Sequence, residues 1–174
     1  MTTFLSRKAL FAITGAALLV LLVVVGRSSY VQAALKEGQK FDDWVVACEK
    51  DAKKKQVCFL SQVLSSAEDP KQKVAEFRIA RFDGKDIKMI QILPFGVNLQ
   101  SGTSIISGKD LLSPGKFTTC QPFGCIAVAD LTQGDLENIM TNETNAVGVI
   151  GADGKQTNII LSNKGLKEGL EALK

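Results

Sequence analysis

Alternating apolar and polar residues predict strands through the middle of the chain. Ala75, Phe77 and Ile79 alternate with Glu76 and Arg78, which is the period-two pattern of a strand with one face in a core and the other in water. A turn signal at Asp83-Gly84 follows, and then a second apolar, β-branched run at residues 87–93. We therefore predict an antiparallel hairpin.

Further short apolar runs are bounded by glycine, proline, asparagine or aspartate, and each is a candidate strand. They lie at residues 43–48, 57–64, 97–100, 103–106, 116–120, 126–130, 146–150 and 156–161. Their number and spacing are typical of a β-sandwich. The predicted fold class is mainly β.

One or two short helices are predicted towards the end of the chain. Asp130 or Thr132 can cap the first, and Ser162 or Asn163 can cap the second. Apolar residues at helical spacing are Leu131, Leu136, Ile139 and Met140 in the first and Leu166, Leu170 and Leu173 in the second.

The beginning of the chain has the pattern of an export signal. Arg7 and Lys8 precede an apolar run at residues 9–25, and Val31-Gln32-Ala33 ends in the small-x-small pattern that signal peptidase accepts. We predict cleavage after Ala33, which leaves residues 34–174 as a single exported domain. The alternative is retention as an inner-membrane anchor, because the run is long for a signal and Arg27 separates it from the cleavage site.

Removing this leader changes the charge balance. The chain has 21 basic and 18 acidic residues, and three of the basic ones, Arg7, Lys8 and Arg27, lie in the leader. The exported part is therefore neutral, so no net positive field attracts nucleic acid. Contact with a membrane is expected only through the N-terminal segment, if it is not cleaved.

Four cysteines, Cys48, Cys58, Cys120 and Cys125, follow an export signal, which favours oxidation to disulfides. They can pair in three ways, and the sequence alone does not select one. We favour Cys48 with Cys58 and Cys120 with Cys125, because each pair would close a short loop. Neither spacing is the C-x-x-C of a redox motif.

Catalytic motifs are scarce. The chain has no histidine, which excludes Ser-His-Asp and Cys-His arrangements and H-E-x-x-H zinc sites. Ser113 and Lys116 match the S-x-x-K string, but the Pro-Gly between them indicates a turn where that chemistry needs a helix. We therefore expect no enzyme, no catalytic residue, no metal ligand and no cofactor.

Several motifs together resemble the invasion-associated locus B (IalB) family of Gram-negative bacteria. They run in order along the exported part: residues 44–48 (WVVAC), Cys58 with Gln62, residues 94–99 (PFGVNL) with Gly102, Cys120 with Gly124-Cys125, and Ser162 with Gly165-Leu166 and Ala172-Leu173. The resemblance implies a small, exported, immunoglobulin-like antiparallel β-sandwich with paired cysteines. It implies no catalytic site.

The leading functional hypothesis is an exported, non-enzymatic binding module, periplasmic or associated with the cell surface. Phe95 and Phe123 each lie between turn-forming residues and are the candidate partner-binding residues; the alternative is that both pack inward. The expected partner is another protein of the envelope or of a host surface. Two other hypotheses are a membrane-tethered subunit of an envelope complex and a thiol-disulfide redox helper using Cys120 and Cys125.

Overall fold

The computed structural model describes residues 36–51, 54–82 and 86–173. The predicted leader at residues 1–33 and the Asp83-Gly84 turn lie outside these residues. The strands of the described part are β1 (Lys40–Phe41), β2 (Trp44–Lys50), β3 (Gln56–Ser65), β4 (Lys73–Phe82), β5 (Asp86–Leu93), β6 (Thr103–Ser107), β7 (Asp110–Leu111), β8 (Lys116–Gln121), β9 (Gly124–Leu131), β10 (Asn145–Ile150) and β11 (Gln156–Leu161). The helices are α1 (Gln133–Thr141), α2 (Leu166–Ala172) and a 3₁₀ turn at Leu99–Ser101.

The strands form two antiparallel sheets. One has seven strands in the order β1-β2-β3-β4-β5-β9-β8, and the other has four in the order β11-β10-β6-β7. The predicted hairpin is β4–β5, in which Ile79 lies opposite Met89. The predicted antiparallel β-sandwich with short C-terminal helices is confirmed.

One hydrophobic core lies between the two sheets. Alternate residues of the seven-stranded sheet, among them Trp44, Phe77 and Met89, are fully buried and pack with Ile105 and Val147 of the other sheet. The period of two along each strand places these side chains on one face. Both helices contribute to the same core with a second set of buried residues, Leu136, Ile139, Leu166 and Leu170.

Thr132 begins helix α1. Its hydroxyl accepts a hydrogen bond from the Asp135 amide, and the Asp135 carboxylate accepts one from the Thr132 amide, so the two form a capping box. Of the two predicted caps for this helix, the structure selects Thr132 over Asp130, which lies within β9.

Helix α2 begins differently from the prediction. Neither Ser162 nor Asn163 caps it, because its N-cap is Gly165 in the left-handed region at φ +77°. A Cβ on Gly165 would lie 2.1 Å from the Phe41 carbonyl oxygen, so close packing against β1 requires glycine here. The Ser162 carbonyl instead accepts a hydrogen bond from Trp44 Nε1 at 3.0 Å, which ties the approach to α2 to the start of β2.

The predicted strand at residues 97–100 is wrong. Val97 makes a single bridge to Gly151, after which the chain turns through the 3₁₀ segment at Leu99–Ser101. The Asn98 side chain accepts a hydrogen bond from the Gln100 amide, and such local bonding by asparagine competes with strand pairing.

Candidate functional site

The hairpin of β8 and β9 presents Phe123 at its tip. Gln121 pairs with Gly124, so only Pro122 and Phe123 form the loop. The Phe123 side chain is 63% exposed. Inward packing of this residue, the alternative raised by the sequence, does not occur.

A disulfide closes this hairpin directly below the loop. Cys120 and Cys125 lie opposite each other in the β8–β9 register and are bonded, with their Cα atoms 3.9 Å apart. On the inner side Gly124 packs so closely that a Cβ would lie 2.5 Å from the Leu93 carbonyl oxygen. The covalent bond and this contact fix the base of the loop against β5.

Phe95 lies on the connection that leaves β5 and crosses to the second sheet. Its side chain is 62% exposed, and Gly96 follows at φ +86°, a conformation that favours glycine. The Gly96 carbonyl accepts a hydrogen bond from the Ala152 amide at 2.7 Å. Phe95 is therefore exposed on a segment that is held in place by a hydrogen bond to the turn between β10 and β11.

The sheet register brings the two phenylalanines to the same end of the molecule. Leu93 at the end of β5 lies opposite Cys125 near the start of β9. Phe95 follows Leu93 by two residues and Phe123 precedes Cys125 by two. Because β5 and β9 run antiparallel, both phenylalanines lie past the same end of this strand pair. We call Phe95 and Phe123 the phenylalanine tip.

Polar residues border the phenylalanine tip. The turn between β10 and β11 lies beside Phe95, since the Ala152 amide bonds to Gly96, and it carries Asp153 and Lys155, whose charged groups are 3.7 Å apart. Exposed aromatic side chains with a polar border are a common arrangement of residues that anchor protein contacts. The geometry suits contact with another protein.

The second disulfide lies elsewhere. Cys48 and Cys58 are opposite each other on β2 and β3 and are bonded, with Cα atoms 4.0 Å apart. These strands are separated from β9 by β4 and β5. Both favoured pairings are thus present, and only one of them supports the phenylalanine tip.

The residues of the S-x-x-K string, Ser113 and Lys116, lie in structural positions. Ser113 donates its hydroxyl hydrogen to Asp135 Oδ2 at 2.7 Å, so it supports the start of α1, while Lys116 lies on β8. The described residues contain no group of three or more cysteine, aspartate or glutamate side chains arranged to hold a metal ion. None of the helices in that part of the chain is long and apolar enough to cross a membrane.

A charge cluster on the outer face of the seven-stranded sheet was missed by the sequence patterns. Glu76 is buried on β4 and accepts hydrogen bonds from Lys73, Arg78 and, at 3.0 Å, Ser61. Burial raises the pKa of the Glu76 carboxyl, but these hydrogen bonds and the Arg78 charge outweigh it and hold the pKa below its ordinary value. The strand pattern at residues 75–80 predicts that Glu76 faces water, whereas Glu76 is buried and accepts a hydrogen bond from Ser61 of the neighbouring strand β3, a contact that the sequence does not reveal.

The fold and site together define a disulfide-braced β-sandwich of two antiparallel sheets with an exposed aromatic tip. A family described as "Invasion associated locus B (IalB) protein" matches residues 44–174. The chain belongs to the IalB family.

Two curated relatives are invasion protein B homologues of Brucella abortus, one from strain 2308 and one from biovar 1 strain 9-941. Each is 30% identical over 112 residues, which cover 59% of this chain and 63% of the relative. The matched region thus spans less than two thirds of either relative.

Among solved structures, invasion associated protein B from Bartonella henselae is similar to this chain, with a TM-score of 0.68. The likeness covers 78% of this chain and 92% of the other at 16% identity. At that identity the likeness shows a shared fold.

Proposed function

We propose that this protein is an exported, non-enzymatic binding module of the bacterial cell envelope that contacts a partner protein through the phenylalanine tip. The observation that carries the proposal is the outward position of both phenylalanines on segments fixed by a disulfide and by hydrogen bonds. Side chains held rigidly before binding lose little conformational entropy on binding, and aromatic residues, phenylalanine among them, are enriched in the cores of protein interfaces.

Export is supported by the N-terminal pattern of Arg7 and Lys8 followed by an apolar run. The names of the Brucella relatives, invasion protein B homologues, favour a partner in the envelope or on a host surface. An intact-mass measurement on protein from native cells tests export: a chain beginning at Ala34 supports a released module, and a chain that keeps the apolar run supports a tethered one.

The contact role is tested by mild crosslinking in cells that make the protein naturally. We expect the Phe95→Ala/Phe123→Ala variant to lose a crosslinked species that the unchanged protein forms. Leu111→Ala is the matched control, because Leu111 is 74% exposed on β7, an edge strand of the other sheet.

Thermal unfolding of the same variants completes this test. Each phenylalanine is mostly exposed, so truncation should lower the unfolding free energy by less than about 1 kcal/mol per site, against the 3–5 kcal/mol typical of a buried phenylalanine. A large loss of stability, or equal crosslinking by all variants, would contradict the contact role.

A further inference from the structure

Strand β11 is an open edge. It is the outermost strand of the four-stranded sheet, paired with β10 on one side, and among the described residues no strand pairs with its other side. Such an edge carries backbone donors and acceptors that another extended chain can use.

Hydrogen bonds at one end of β11 show which peptide groups face outward. The Ile150 carbonyl accepts from the Asn98 amide at 2.7 Å, so the peptide groups of Ile150 point away from β11. Ile150 lies opposite Gln156, and this pair therefore exchanges no hydrogen bonds. Because the direction alternates along an antiparallel strand, Gln156, Asn158 and Ile160 direct their N–H and C=O groups to the open edge.

The other end of the strand gives the same result independently. The Ser162 amide donates to Gln62 Oε1 at 3.1 Å, and the Ser162 carbonyl accepts from Trp44 Nε1 at 3.0 Å. Both groups of Ser162 point away from β10, and Ile160, two residues earlier, shares this direction.

A groove of about 860 Å³ lies at the C-terminal end of this edge, between the last residues of β11 and the end of β3. It is open there because the pairing of β2 with β3 begins only at Val45 and Ser61. Its lining includes Val63, 54% exposed, and Ile160, 73% exposed.

The charges of the groove favour a basic occupant. Asp43 and Glu143 line it together with a single basic residue, Lys164. Asp43 accepts a hydrogen bond from the Ser162 hydroxyl at 2.6 Å, which holds its carboxylate beside the edge. In the described part of the chain no ion pair neutralises Asp43 or Glu143.

We infer that this groove binds an extended segment of another polypeptide, which adds as a strand to β11 and places a lysine or arginine near Asp43 and Glu143. The peptide groups of Asn158 and Ile160 would supply the main-chain hydrogen bonds, and Val63 and Ile160 the apolar contacts. The groove does not include the phenylalanine tip, so this inference goes beyond the proposed function.

The test uses the full chain in a mild non-ionic detergent and a fluorescein-labelled octapeptide of alternating valine and lysine, with binding followed by anisotropy. Ile160→Pro removes one outward N–H and no hydrogen bond to β10, a substitution that edge strands accept. We expect it to weaken binding roughly tenfold, the effect of losing about one backbone hydrogen bond. Ile160→Val keeps the N–H and should bind as the unchanged protein does.

Peptides give a second measurement that does not depend on the folding of a variant. One octapeptide is N-methylated at every valine and another at every lysine, so only one of them keeps the donors that face β11. One of the two N-methylated peptides should bind and the other should not; binding of both, or of neither, overturns the inference. The valine-glutamate octapeptide should bind more weakly than the lysine form.

Three further results would contradict the inference: no binding of the valine-lysine peptide, binding unaffected by Ile160→Pro, or a concentration-dependent dimer that Ile160→Pro abolishes. The last would assign the edge to a second copy of this chain. The Phe95→Ala/Phe123→Ala variant should bind the peptide normally, so failure of the proposed function and failure of this inference are distinguishable.

Discussion

Removing the Cys120–Cys125 disulfide should uncouple the phenylalanine tip from the fold at a small cost in stability. The bond closes a loop with a sequence separation of 5, for which the chain-entropy relation gives about 2 kcal/mol. The Cys48–Cys58 bond, with a separation of 10, gives about 2.7 kcal/mol. We therefore expect Cys120→Ala/Cys125→Ala to stay folded but to hold Phe123 in a mobile hairpin.

The Cys48→Ala/Cys58→Ala variant is the matched control, because it loses slightly more stability while its strands lie away from β9. Urea unfolding is followed by the fluorescence of Trp44, the one tryptophan of the chain, which is fully buried. Partner crosslinking is measured in parallel. The Cys120→Ala/Cys125→Ala variant should lose most crosslinking and the control should keep it; equal crosslinking by both would refute the idea that the disulfide preorganises the tip.

Three further predictions concern stability. The lowered pKa of Glu76 means that its carboxylate stabilises the folded state above about pH 4.5, and that this contribution is lost as the pH falls through the lower folded-state pKa. Glu76→Gln should therefore flatten this part of the pH profile of urea unfolding and lower the unfolding free energy by about 1–3 kcal/mol at neutral pH. An unchanged pH profile would contradict this role of Glu76. Thr132→Ala removes one side of the capping box with Asp135 and should lower the unfolding free energy by about 1 kcal/mol, whereas no change would show that the cap is redundant. Gly165→Ala places a Cβ 2.1 Å from the Phe41 carbonyl oxygen at a positive φ and should lower the melting temperature by several degrees, with a loss of at least about 2 kcal/mol; a wild-type melting curve would contradict this packing.

Most strands could be predicted from sequence, because an alternating pattern or a short apolar run bounded by turn residues indicates a strand. The run at residues 156–161 coincides with β11, and the runs at 75–80 and 87–93 lie within β4 and β5. The two-residue strands β1 and β7 were missed, since such short segments carry no period and exist only through their partners.

The candidate site could be predicted only in part. Phe95 and Phe123 were selected because each lies among turn-forming residues, but their common location depends on the pairing of Leu93 with Cys125, which involves residues distant in sequence. The β11 groove gave no sequence signal, because an open edge is defined by the absence of a neighbour and by sheet order. The cap of α2 was misplaced for a similar reason: Gly165 is required by the approach of Phe41.

Photo-crosslinking in living cells tests most directly whether the phenylalanine tip is a contact surface. Benzoylphenylalanine at position 123 keeps an aromatic side chain on the disulfide-closed hairpin, and the same residue at position 111 replaces an apolar side chain on the other sheet that is at least as exposed. We predict a discrete protein adduct from position 123 and none from position 111. An absence of adducts from position 123, or the same adducts from both positions, would contradict the contact role.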